Sequence, residues 1–72
     1  MTTQLQQRLL RAIADHGPLT YTEAAAATGT AWADVDDALK ALQRKGFVLV
    51  FADEHVRLTA TGRVAAQEAS VA

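Results

Sequence analysis

Three carboxylates fall within four positions of this chain, at Asp34, Asp36 and Asp37, and the same stretch carries Trp32, Lys40, Arg44 and Lys45. Side chains of these types can recognise charge and surface. Grouped carboxylates steer a basic partner or imitate nucleic-acid charge. A lone tryptophan anchors an interface, because aromatic side chains concentrate binding energy there. Each feature also has a plain structural reading: the acids as a solvated helix face, the tryptophan as filler folded back over small neighbours. Adjacent carboxylates without further oxygen ligands match no calcium loop, so no metal is expected. His16 and His55 stand 39 residues apart with no cysteine or acidic motif between them to complete a site. They read as a helix-end and a turn histidine. No Ser-His-Asp arrangement, glycine-rich phosphate loop or His-Glu-x-x-His pattern occurs. Neither catalysis nor a cofactor is expected.

The bulk numbers set the frame for this chemistry. A chain of 72 residues makes one domain. At this size about 60% of the unfolded surface is buried, so stability is marginal. There is no cysteine, which leaves packing or self-association to a homodimer as the means of support. Hydrophobic residues make up 50% and charged residues 21%, a globular balance. The formal net charge is −1, whereas dedicated DNA-binding modules are basic because counterion release supplies much of their affinity. No apolar run approaches the roughly 20 residues that span a bilayer. Met1-Thr2-Thr3-Gln4 lacks the features of a signal peptide, so a cytoplasmic location is expected. Frequent alanine, and arginine outnumbering lysine five to two, suit a GC-rich prokaryotic or phage genome.

The elements that must position the charged stretch can be read from spacing. A first helix spans Gln4 to His16, capped by Thr3 with Gln6 as reciprocal partner. Leu5, Leu9, Ala12, Ile13 and His16 share one face. Gly17 and Pro18 end it. Leu19-Thr20 is a short extended piece. Thr20 and Glu23 form a second capping box that opens a helix from Tyr21 to Thr28, closed by Gly29. Thr30 or Ala31 opens a third helix that runs to Lys45, with Val35, Ala38, Leu39 and Leu42 buried. Asp34 near its start and Arg44 and Lys45 at its end agree with the helix dipole. Two strands follow, Phe47–Ala52 and His55–Thr59. A two- or four-residue loop around Asp53-Glu54 pairs Phe51 with Val56 and Leu49 with Leu58. That register turns Phe47, Leu49, Phe51, Val56 and Leu58 inward and Val48, Val50, His55 and Arg57 outward. Thr59 caps a last helix to Glu68, and residues 69–72 are expected to fray.

Three patterns in this order carry a resemblance. Gly17-Pro18-Leu19-Thr20-Tyr21-Thr22-Glu23, Val35 through Leu42 to Gly46-Phe47-Val48, and Val56-Arg57-Leu58-Thr59-Ala60-Thr61-Gly62 resemble the helix-turn-helix and wing of compact bacterial winged-helix regulators of the MarR and PadR type. The resemblance covers residues 4 to 68 and implies an α+β winged helix-turn-helix: a three-helix core, a β-hairpin wing, and a short C-terminal helix. The wing becomes three-stranded if Leu19-Thr20 joins. The long dimerising helices of those regulators are not among these residues. In that superfamily DNA contact comes from the exposed face of the third helix and the wing tip. Carried over, the groove face is Trp32, Ala33, Asp36, Asp37, Lys40 and Arg44. The wing tip is Asp53, Glu54 and His55, with Arg57 beside them. A DNA reader places cations, amides or hydroxyls at such positions; this chain places carboxylates there. Ala27 also stands where many relatives have a basic phosphate contact.

Two functions follow as expectations. The first is a DNA-binding or transcription-associated regulator, with Trp32 and Ala33 on the groove face and Lys40, Arg44 and Arg57 holding phosphates. The alternative is a protein-interaction module on the same scaffold, which would hold a partner through Trp32, Asp34, Asp36, Asp37, Val48 and Val50.

Overall fold

The computed structural model describes residues 3–70. Its elements run α1 (Gln4–His16), β1 (Leu19–Thr20), α2 (Tyr21–Thr28), α3 (Trp32–Arg44), β2 (Val48–Val50), β3 (His55–Leu58) and α4 (Ala60–Ser70). Both capping boxes form. The Thr3 hydroxyl accepts the Gln6 N–H at 3.2 Å while Gln6 Oε1 accepts the Thr3 N–H at 3.3 Å. Thr20 and Glu23 repeat the exchange at 3.1 and 3.0 Å. These reciprocal bonds satisfy helix-start donors that would otherwise go unpaired. α3 has no such cap: it starts from Ala31 without a side-chain bond, and the Thr30 hydroxyl donates instead to the Thr28 carbonyl at 3.3 Å.

The core is made where α1, α3 and the sheet meet. Leu9 and Leu10 of α1 and Leu39 and Leu42 of α3 are wholly buried, each burial favouring the fold by about 2 kcal/mol. Val48 and Val56 bring the two wing strands into the same cluster. α4 closes the far side through Ala66. Its Gly62 lies so close to Phe47 that an added Cβ would sit 1.9 Å from the Phe47 carbonyl oxygen. Only glycine permits that approach, which fixes α4 to the start of β2. α4 continues to Ser70, past the expected end at Glu68. Val71 and Ala72, the rest of the expected frayed tail, lie outside the described residues, as do Met1 and Thr2.

The sheet is antiparallel with strand order β1-β3-β2, so Leu19-Thr20 does join. Its register corrects the sequence reading. Val48 faces Leu58, Leu49 faces Arg57 and Val50 faces Val56, a shift of one residue. The cause is the turn. The Glu54 N–H donates to the Phe51 carbonyl at 2.9 Å, the Phe51 N–H donates to the His55 carbonyl at 3.0 Å, and Glu54 adopts a left-handed φ of 66°. The loop is therefore three residues, Ala52-Asp53-Glu54, a tight turn followed by one left-handed residue. Asp53 braces it by accepting the His55 N–H at 3.1 Å. One residue of slip turns a strand over. Val48 is wholly buried and Val50 packs against the core, while Leu49 and Phe51 stand 51% and 45% exposed. The expected outward patch of Val48 and Val50 does not exist; Leu49 and Phe51 take its place.

Candidate functional site

The outer face of α3 changes character along its length. Asp34 and Asp37 are exposed in its first half. Asp36 accepts a salt bridge from Lys40 at 3.0 Å, one helical turn on. That hydrogen bond, with the charge behind it, holds the Lys40 ammonium above its ordinary pKa. Lys40, Gln43 and Arg44 line a shallow concavity of about 360 Å³ in the second half. Lys45, just beyond the helix, donates to Gln6 Oε1 at 2.9 Å and so ties the end of α3 to the start of α1.

At the other end of α3, Trp32 is 54% exposed. It does lean on α2, as the plain reading of this residue expected. Its ring centroid lies 5.5 Å from that of Tyr21 at 36°, yet half its surface stays in solvent. Tyr21 and Trp32 are the first residues of consecutive helices, so the helix-turn-helix itself brings their rings together. With Thr20, Thr22, Val50 and Glu54 they line a groove of about 280 Å³ between the two helix starts and the wing. Burial, then the nearby charges of Asp36 and Glu54, push the Tyr21 hydroxyl up, with Lys40 acting against them. Sequence reasoning missed Tyr21, and it named Glu54 only as part of the wing tip. Nothing in the sequence pairs the two rings, which stand at the starts of different helices.

The remaining cations sit elsewhere. The Arg57 guanidinium lies 5.0 Å over the Phe51 ring, which shields the aromatic face that the register shift turned outward. Arg57 also shares a cleft of about 680 Å³ with Asp15, Pro18, Arg63 and Ala66, between the end of α1, β3 and α4. It is thus grouped with α1 and α4, and the structure does not bring it to Lys40 and Arg44. Arg8 donates to the Thr28 carbonyl, where it complements the C-terminal end of α2. At the wing tip His55 Nδ1 is 3.3 Å from Asp53. The His55 N–H bonded to Asp53 holds that carboxyl below its ordinary range. Ala33 is exposed beside Trp32. Among the described residues no cluster of three His, Cys, Asp or Glu side chains could hold a metal. No helix is long and apolar enough to cross a membrane.

Two helices joined by a tight turn, backed by a three-stranded sheet whose last two strands form a hairpin, define a winged-helix domain. The chain belongs to the HemN C-terminal domain family, whose model matches residues 17–65, from the turn before β1 into α4. Solved structures agree on the fold. The transcriptional regulator MosR of Mycobacterium tuberculosis is 33% identical over 93% of this chain and 52% of its own, with a TM-score of 0.83. A MarR family protein from Bacillus stearothermophilus is 25% identical over 96% of this chain and 51% of its own, with a TM-score of 0.87. A MarR family protein of Mycobacterium tuberculosis gives 25%, 96% and 52%, with a TM-score of 0.86. The chain spans about half the length of these structures. Among curated proteins none matches the chain.

Proposed function

We propose that this chain is a small winged-helix regulator that holds DNA through the cationic second half of α3, with few phosphate contacts and correspondingly low affinity. The observation that carries this reading is the grouping of Lys40, Gln43 and Arg44 around one open concavity on the outer face of α3. Likeness to transcription regulators supports DNA as the class of target, by analogy at the level of fold. Arg44 is the principal phosphate contact, because Lys40 already shares its charge with Asp36. Trp32 and Ala33 lie toward the acidic end, and Arg57 in another cleft, so neither end of the expected contact set adds to this hold. Carboxylates at Asp34 and Asp37 repel the phosphates that flank a groove and limit how deeply the helix can enter.

The reading fixes a salt dependence. Each neutralised phosphate contributes about −0.9 to the slope of log K against log salt. Two or three contacts give a slope of roughly −2 to −3, far shallower than the slope of about −10 of a repressor with many phosphate contacts. Titrating the chain against random duplex DNA at rising salt tests this. A slope in that range supports the reading, and absence of binding at low salt overturns it. A second reading, a protein-binding surface, rests on one observation: Glu54 of the wing tip lines the same groove as the exposed Trp32 and the partly buried Tyr21 whose ring lies beside it.

A further inference from the structure

We propose that the groove between Tyr21, Trp32, Val50 and Glu54 receives an arginine or lysine side chain from a basic segment of a partner protein. The proposal goes beyond DNA contact, which uses the other end of α3, and does not depend on it.

Shape comes first. The groove has a volume of about 280 Å³, open to solvent, which suits one long side chain and not a helix. Its floor is aromatic. Trp32 sits with its ring 5.5 Å from Tyr21 and is still 54% exposed, so much of its surface is left for a visitor. A guanidinium or ammonium over such a face is attracted by the negative centre of the ring. The same wing already makes this contact once internally, between Arg57 and Phe51.

Charge selects the visitor. Glu54 is the one charged side chain in the groove's lining, and Asp36 lies near Tyr21. Among the described residues Glu54, Asp34 and Asp37 make no ion pair within 4 Å, and the nearest cation, Lys40, is held by Asp36 at 3.0 Å. A phosphate is therefore repelled and a cation drawn in. Glu54 reaches the rim from a left-handed backbone position, φ 66°, where glycine or asparagine is the ordinary choice. The charged side chain is present at a place where backbone preference alone would not put it.

Trp32 is the chain's one tryptophan, so its emission reports this groove directly. The test titrates the whole chain with a short arginine-containing peptide, the same peptide with citrulline in place of arginine, and random duplex DNA. The expected result is a saturable change in Trp32 emission with the arginine peptide and binding about tenfold weaker with citrulline. Glu54→Gln should weaken the arginine peptide about threefold to tenfold. Glu54→Gly should weaken it as much while raising Tm, because glycine suits the left-handed turn; that outcome separates lost recognition from lost folding. Equal binding of the citrulline peptide, or no emission change at millimolar peptide, overturns the proposal. So does an emission change produced by duplex DNA and not by the peptide, which would give the groove to nucleic acid. Loss of DNA binding on Arg44→Ala with the peptide still bound would leave this proposal standing and bears only on the DNA reading.

Discussion

In its first two turns α3 presents Asp34, Asp36 and Asp37, and in its last two it presents Lys40, Gln43 and Arg44. Asp34 in the first turn and Arg44 in the last suit the helix dipole, which favours anions at the start and cations at the end. The pattern therefore has a local benefit that requires no ligand, and it is stronger here because α3 starts without a side-chain cap. What local stability does not account for is the surroundings. The start of α3, through Trp32, opens onto an aromatic groove with the wing as its far wall, and the cationic half opens onto a concavity with no acid of its own. The Asp36–Lys40 pair marks the border. A helix that reads DNA along its whole face has no such border. On the two proposed readings, the winged-helix scaffold keeps its shape while the two ends of its third helix serve different kinds of target.

The largest effect should come from removing the frame that supports both halves. Gly62→Ala forces a Cβ against the Phe47 carbonyl and should destabilise the chain by about 3 kcal/mol. A thermal melt would show it, and both halves should lose function together. Next, Thr20→Ala removes the capping box beneath Tyr21 at a cost of about 1 kcal/mol. Because Tyr21 supports Trp32, the emission of Trp32 should shift while the cationic half is unchanged; an unshifted spectrum would contradict the link between cap and groove.

A smaller change sharpens the border. Asp36→Asn releases Lys40 from its partner. Stability should alter little, while the salt slope of DNA binding should steepen by about 0.9, one further phosphate contact. An unchanged slope would mean that Lys40 does not reach DNA. The smallest expected effect is on pH dependence. Bonds from the Thr20 backbone and hydroxyl hold the Glu23 carboxyl below its ordinary value of 4.5. Its folded pKa is thus the lower one, so its contribution is present above the unfolded pKa and disappears as pH falls through the folded pKa. Melts below pH 4.5 should lose this contribution in the native chain and not in Glu23→Gln. Equal losses in both would remove Glu23 from the acid response.

The helices were legible because their punctuation is local. Thr3 with Gln6 and Thr20 with Glu23 state where α1 and α2 begin, and Gly17 and Gly29 where they end. The wing was legible as a hairpin but not in register. Its turn needs a left-handed residue, and Glu54 supplies it without the glycine that would have announced it. Leu49 and Phe51 added to the error: apolar side chains at alternate positions read as the buried set. In the fold they face outward, Phe51 beneath Arg57. The acids of α3 were plain from the sequence, but not their pairing, since Lys40 could equally have faced solvent alone. The groove was hidden for a different reason. Tyr21 and Trp32 are separated by a whole helix, and only the angle between α2 and α3 brings their rings together. Arg57 was misplaced because strand alternation gives a side of the sheet and not the neighbours found there.

The division of α3 is tested most directly by the affinity for random duplex DNA, at one low salt concentration, of Arg44→Ala and Asp37→Asn beside the native chain. If the two halves act oppositely, the first substitution weakens binding and the second strengthens it. Changes in the same direction, or no change in either, would contradict the division.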